Sequence, residues 1–320
     1  MKTFVVVTPT YNRARFLPRL YNSLLEQTFH FDEFDWLIID DGSKDDTIKV
    51  VEEFKTVSPF RIIYLKKING GKHTAWKHAV DYLSASHEYM YFVSIDSDDI
   101  LTPDALSCLY ENWSEIESNH NGVDILNART ISNGDIDSPN PIYGDKIYIE
   151  GTYQDVVIKK GEQSEMITSF RVKDLGIYLD IPDKFWLSDK VRFYAEYILW
   201  ARNGRRTKTR WLKKYLRVMY HDSGNQVSNN AKNKSLNHLY NYIVGYKYYL
   251  SENIDYVLKY QKVKLVVDLV KYGVMCLLVG IPIAEACNQL TSRLLKLLYV
   301  IMFPVMVCGT IAFKIRRFIR

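Results

Sequence analysis

The 320-residue chain is poor in cysteine, and its four thiols build nothing recognisable. Cys108, Cys276, Cys287 and Cys308 form no CxxC pair and no metal-ligand spacing. That excludes a zinc module and a disulfide framework, and it fits reduced thiols in a reducing compartment. No GxGxxG follows the first apolar run and no GxxxxGK[ST] occurs, so a dinucleotide fold and a P-loop are both excluded. Internal repeats and low-complexity tracts are missing as well. No cleavable signal is expected, because Met1–Val7 runs directly into a strand. The excess of one charge sign is small, 42 Lys and Arg against 37 Asp and Glu, and it does not suggest a nucleic-acid partner.

What is present is an ordinary globular composition, 47% hydrophobic and 25% charged, on a chain long enough for one large domain or two. Short apolar, β-branched runs at Thr3–Val7, Phe34–Ile39, Arg61–Leu65 and Tyr89–Ile95 read as buried strands. Helical patterns separate them at Arg15–Gln27, around Val50–Phe54 and at Thr74–Leu83. A further helix starts at Thr102-Pro103-Asp104 and runs to about Ile116. This alternation predicts an α/β fold with a mainly parallel sheet between helices, and ligand loops at the strands' C-terminal ends. The polar clusters Thr8–Asn12, Asp40–Ser43, Asn69–Lys72 and Asp96–Asp99 all fall at such ends.

The fourth cluster carries the most chemistry. A buried strand ending in Asp96, Asp98 and Asp99 concentrates negative charge, which a divalent cation offsets most simply. Asp96 and Asp98 are two positions apart and can reach one hard ion, Mg²⁺ or Mn²⁺, with a phosphorylated ligand completing its shell. Asp99 orients the loop or caps the following helix. Lys72 follows a glycine pair and is placed to reach a phosphate. Glu196 is the sole acid in the apolar, aromatic run Phe193–Trp200, surroundings that raise a carboxyl's pKa toward that of a general base.

Thr8-Pro-Thr-Tyr-Asn12, Asp40-Asp-Gly-Ser-Lys-Asp45, Asn69-Gly-Gly-Lys72 and Asp96-Ser-Asp-Asp99, in this order and spacing, resemble the family 2 glycosyltransferases. The likeness is close over Lys2–Ala128 and looser to about Ser228. It implies a GT-A fold and a nucleotide-sugar donor, with uridine the expected nucleoside. It further implies that Tyr11 stacks on the nucleobase with Thr8 beside it, that Asp41 bonds the base edge, and that Asp96 lies by the ribose and the metal. Asp98 would ligate the metal, and His221 lies where some GT-A enzymes supply a third ligand. Glu196 sits at the family's distance for the catalytic base, although Tyr197 stands where many members have Asp; Asp189 is the fallback. Inversion at the anomeric carbon is the family-level expectation. A processive membrane motif is not matched, since Arg206–Trp211 has one residue too many, so transfer of a single sugar is expected.

The C-terminal region changes character after Lys262. Tyr272–Ala284 and the 17 residues Leu297–Phe313 are uncharged, and the chain ends in Lys314-Ile-Arg-Arg-Phe-Ile-Arg320. A helical pair that crosses or lies on the cytoplasmic face of the membrane fits this pattern, with lipid as partner. Packing on the catalytic domain or on another subunit in an oligomer is the alternative. The expected organisation is therefore residues 1–128 as the donor half of the GT-A domain, 129–228 as its acceptor half, and 229–320 as membrane-associated helices. The acceptor is expected to be a saccharide, lipid-linked and destined for a bacterial surface polysaccharide. A nucleotidyltransferase and a non-catalytic subunit of the same fold stay open as rival readings.

Overall fold

A computed structural model describes residues 1–135, 140–178, 196–222 and 236–318, with the backbone alone at 177–178, 196–197, 236–238 and 315–318. The chain divides into two compact units. The first comprises Met1–Thr152, Glu162–Ile181 and Arg206–Gln226. The second comprises Tyr153–Gly161, Pro182–Arg205 and Val227–Arg320.

In the first unit, β1 (Lys2–Thr10) and β2 (Phe34–Asp40) are buried almost end to end, as strands covered on both faces must be. β3 (Arg61–Lys66) pairs parallel to β2, β2 to β1, and β1 to β4 (Tyr89–Ser94). The crossovers are α1 (Leu17–Leu25), α2 (Thr47–Val57) and α3 (Lys72–Ser86). Pro9 does not interrupt β1, because β4 pairs with it only as far as Val7↔Ser94 and no ladder bond is lost beyond that point. Tyr21 stacks on Phe54 with ring centroids 4.2 Å apart, packing α1 against α2 over Trp36.

Beyond β4 the sheet turns mixed. The two-residue β5 (Ile100–Leu101) and helix α4 (Ala105–Asn119) are followed by β6 (Val123–Ser132), β7 (Tyr148–Gly151), β8 (Met166–Arg171) and β9 (Lys208–Met219). Among the described residues the order is β3-β2-β1-β4-β8-β6-β9-β5, with β7 on β9. β8 is antiparallel to both β4 and β6, whereas β6 and β9 are parallel. Within this half β6 is a ten-residue interior strand that matches none of the four apolar runs expected as strands. Its apolar alternation fails after Leu126 because Asn127, Arg129 and Thr130 are polar yet buried, so hydropathy concealed it.

At the N-terminal edge of the sheet, buried Asp35 accepts from Lys2 Nζ at 2.7 Å and from the Tyr89 hydroxyl at 2.6 Å. On the α4 side, Arg210 is 1% exposed and lies between Glu115 and Glu150, at 3.0 and 2.8 Å.

The second unit is helical: α5 (Glu196–Asn203), α6 (Leu236–Tyr260), α7 (Lys262–Leu278), α8 (Ile283–Asn288) and α9 (Arg293–Phe318). Gln154 donates to the Ala201 carbonyl at 2.6 Å and to Asn253 Oδ1 at 2.8 Å, where α6 is broken by a non-helical Asn253. Arg293–Lys314 is long and apolar enough to cross a membrane by length and composition.

Candidate active site

Four loops leave the C-terminal ends of β1 to β4, and hydrogen bonds tie them into one surface. The Asn12 amide donates to Ser43 Oγ and Asn12 Oδ1 accepts from the Lys44 amide, both at 2.8 Å, so the first loop is locked to the second. The Asp41 amide donates to the Thr10 carbonyl at 2.9 Å. Gly42 turns the second loop at φ +82°, and a Cβ there would meet the Asn69 amide at 3.0 Å. That position therefore combines left-handed backbone with close approach of the third loop.

Asp41 organises the third loop. Its carboxylate accepts from Lys67 Nζ at 2.5 Å, the Gly70 amide at 2.9 Å, the Gly71 amide at 2.7 Å and Asn69 Nδ2 at 3.1 Å. Lys72, the first residue of α3, reaches the fourth loop, where Nζ lies 2.7 Å from Asp96 Oδ1. Burial acts to raise the Asp96 pKa, but Lys72, Arg217 and Arg13 outweigh it and hold the carboxyl below the usual range.

The fourth loop is also gripped by arginines that sequence reasoning did not select. Arg19 Nη2 donates to the Asp98 carbonyl at 2.5 Å, while Nη1 donates to Asp222 Oδ2 at 2.7 Å. Arg13 Nη2 lies 4.0 Å from Asp98 Oδ2, and Arg217 Nε lies 3.5 Å from Asp99 Oδ2. Asp99 also accepts from the Tyr220 amide at 3.1 Å. Burial pushes its carboxyl up to about 7 despite Arg217, and Asp96 adds to the rise. The Asn12-Arg13-Ala14-Arg15 run was a visible basic signal; Arg217, inside a strand-like run, was not.

Each expected site residue can now be located. Tyr11 is 44% exposed at the rim, free of core packing on its outer side. Thr8 is fully buried, and its hydroxyl accepts from Trp36 Nε1 at 2.9 Å, so it fixes the strand end from within. Asp41 holds the third loop, Lys72 pairs with Asp96, and the Asp98 carboxylate lies 4.0 Å from Arg13. His221 is exposed at the end of β9, with Nε2 3.2 Å from Ser132 Oγ. Its neighbours Tyr220 and Asp222 both bond into the fourth-loop network. Glu196 opens α5, but its side chain lies outside the described residues, as does all of Asp189.

Among the described residues no three His, Cys, Asp or Glu side chains are gathered as a metal cage. The carboxylates available there are Asp96 and Asp98, two positions apart on the fourth loop. Such a pair fits Mg²⁺ or Mn²⁺ when a ligand's phosphates supply the remaining oxygens.

A parallel half-sheet with these loops, extended by mixed strands, is the GT-A arrangement. Residues 5–159, just under half of the chain, match the family described as Glycosyl transferase family 2. Over 132 residues it is 29% identical to the poly(ribitol-phosphate) beta-N-acetylglucosaminyltransferase TarS of Staphylococcus aureus, covering 41% of this chain and 22% of TarS. Over 115 residues it is 30% identical to the minor teichoic acid biosynthesis protein GgaA of Bacillus subtilis, covering 36% of this chain and 25% of GgaA. The alignments thus span about a quarter or less of these relatives' length. A crystal structure of S. aureus TarS 1–349 in complex with UDP-GlcNAc superposes with a TM-score of 0.57 at 17% identity, over 93% of this chain and 86% of that one.

Proposed function

We propose that the chain transfers a single sugar from a nucleoside-diphosphate donor, a UDP-sugar, to a saccharide acceptor, with inversion and with help from Mn²⁺ or Mg²⁺. The observation that carries the reading is the joining of four strand-end loops into one surface closed by Lys72–Asp96 and Asp98. TarS and GgaA support the sugar chemistry and suggest surface-polymer synthesis as the setting. UDP-N-acetylglucosamine is therefore the first donor to test. A lipid-linked acceptor at the cytoplasmic face of the membrane completes the proposal, in keeping with the apolar C-terminal helix.

In this reading Tyr11 stacks on the base, and Asp41 serves the base pocket by holding the third loop. Asp96 and Asp98 are the residues that would hold the cation, with His221 beside them, and a bound Mn²⁺ or Mg²⁺ would supply Lewis-acid stabilisation of the leaving diphosphate. Lys72 stands ready to exchange Asp96 for a phosphate oxygen. Glu196 takes the proton of the acceptor hydroxyl.

The test is donor turnover by the full chain, read as released nucleoside diphosphate. Glu196→Gln is expected to lose roughly 10²–10⁴-fold in rate while donor binding survives. Release of pyrophosphate would instead indicate nucleotidyl transfer, and unchanged cellular function in Glu196→Gln would indicate a non-catalytic role.

A further inference from the structure

Helix α9 has two unlike sides. Leu295, Tyr299, Met306 and Thr310 are buried within the helical unit. Tyr299 meets the Tyr272 ring of α7 at 6.0 Å, edge on. Met306 packs so tightly on Gly273 of α7 that a Cβ there would lie 2.1 Å from its sulfur. On the outer side Leu297, Val300, Ile301, Val305 and Ile311 are each more than half exposed. This face is uncharged from Leu297 to Phe313, and a patch of that kind calls for a cover other than water.

The flanking charge names the cover. Arg293 and Lys296 precede the apolar stretch, Lys314, Arg316, Arg317 and Arg320 follow it, and no acid occurs between Arg293 and Arg320. Cations at both ends of an apolar face match anionic headgroups around an acyl boundary. A second copy of the same face would instead bring like charges together.

The mode of binding follows from what α9 is attached to. Its inner face is packed on α7, where Lys271 directly precedes Tyr272 and Asp268 lies one turn before it. Asp268 is buried and ion-paired with Lys264, with Lys271 Nζ at 4.0 Å. Were α9 to cross the bilayer, α7 would carry these three charges into the hydrocarbon with it, a costly transfer. A helix with one apolar face, basic ends and a charged supporting layer is suited to the interface plane.

We propose that α9 seats the protein in one leaflet of an anionic membrane, lying in the interface through its Leu297–Ile311 face without spanning. The inference deepens the membrane setting of the proposed function and is independent of the sugar chemistry, since vesicle binding and donor turnover are separate readouts.

The experiment is flotation of the full chain with vesicles of phosphatidylcholine alone or mixed with phosphatidylglycerol. Binding is expected only to the mixed vesicles, falling about tenfold or more as salt rises through the physiological range. Ile301→Glu with Val305→Glu should abolish it; Lys314→Gln with Arg316→Gln should weaken it without touching the exposed apolar face. Turnover of donor with a soluble acceptor should be unchanged in both. Alkaline carbonate should extract the wild-type protein from the vesicles. Retention in carbonate would show a span and overturn the in-plane mode. Equal binding to both vesicle types, or no binding together with a dimer that Ile301→Glu dissolves, would overturn the lipid assignment.

Discussion

Lys72 Nζ and Asp96 Oδ1 lie 2.7 Å apart, joining the third strand-end loop to the fourth. Asp96 is therefore kept ionised by its own protein before any ligand arrives. Lys72→Met removes both the pairing charge and the group that would meet the phosphate. Its donor Kd is expected to rise about tenfold, corresponding to ~1.4 kcal/mol. Titration calorimetry with a UDP-sugar measures this; an unchanged Kd would make the lysine a bystander.

Asp41→Ala should behave differently, because that carboxylate anchors four donors of the third loop. Breaking a buried charge cluster from one side typically costs about 3–5 kcal/mol. Chemical denaturation is expected to show a lowered midpoint together with weakened nucleotide binding, because the same residue serves fold and site.

Asp35 provides the control at the other edge of the sheet. It is buried against Lys2 and Tyr89, far in register from the strand ends that carry the loops. Asp35→Ala is expected to destabilise by about 3–5 kcal/mol and to leave the UDP-sugar Kd of the folded protein unchanged. A changed Kd in a folded variant would contradict the separation of the two edges.

Glu150 sets an acid limit on stability. Burial acts to raise its pKa, but Lys208 and Arg210 overcome that and hold it below the ordinary glutamate range. A carboxyl depressed in the folded state stabilises fully above its unfolded pKa, and the contribution disappears as pH falls through the folded value. Thermal unfolding followed from neutral to acid pH should show wild type losing stability more steeply than Glu150→Gln in that window.

The half of the fold that holds the site was legible in the sequence because β1, β2 and most of β4 are buried and read as apolar runs, and the edge strand β3, though partly exposed, keeps the apolar run Ile62–Leu65. Their polar termini marked the loops before any coordinates did. β6 was illegible for the converse reason: Asn127, Arg129 and Thr130 are buried without being apolar. Among the candidate site residues, Asp41, Lys72, Asp96 and Asp98 stand out in the sequence, but their partners do not. Lys72 pairs with Asp96, and Asp41 spends its carboxylate on loop 67–71; both contacts depend on packing between loops some 24 to 30 positions apart in the chain. Arg19 and Arg217 escaped notice because neither sits in a motif, and only folding brings them to the fourth loop.

The most direct test of the account is calorimetric titration of the full chain with UDP-N-acetylglucosamine, with and without Mn²⁺, for wild type and Asp98→Ala. The account predicts that the ion tightens binding to wild type by about tenfold or more, as expected when substrate phosphates and protein carboxylates share one cation, and that Asp98→Ala abolishes this gain. The same affinity with and without Mn²⁺ in wild type, or an ion effect that persists in Asp98→Ala, would contradict it.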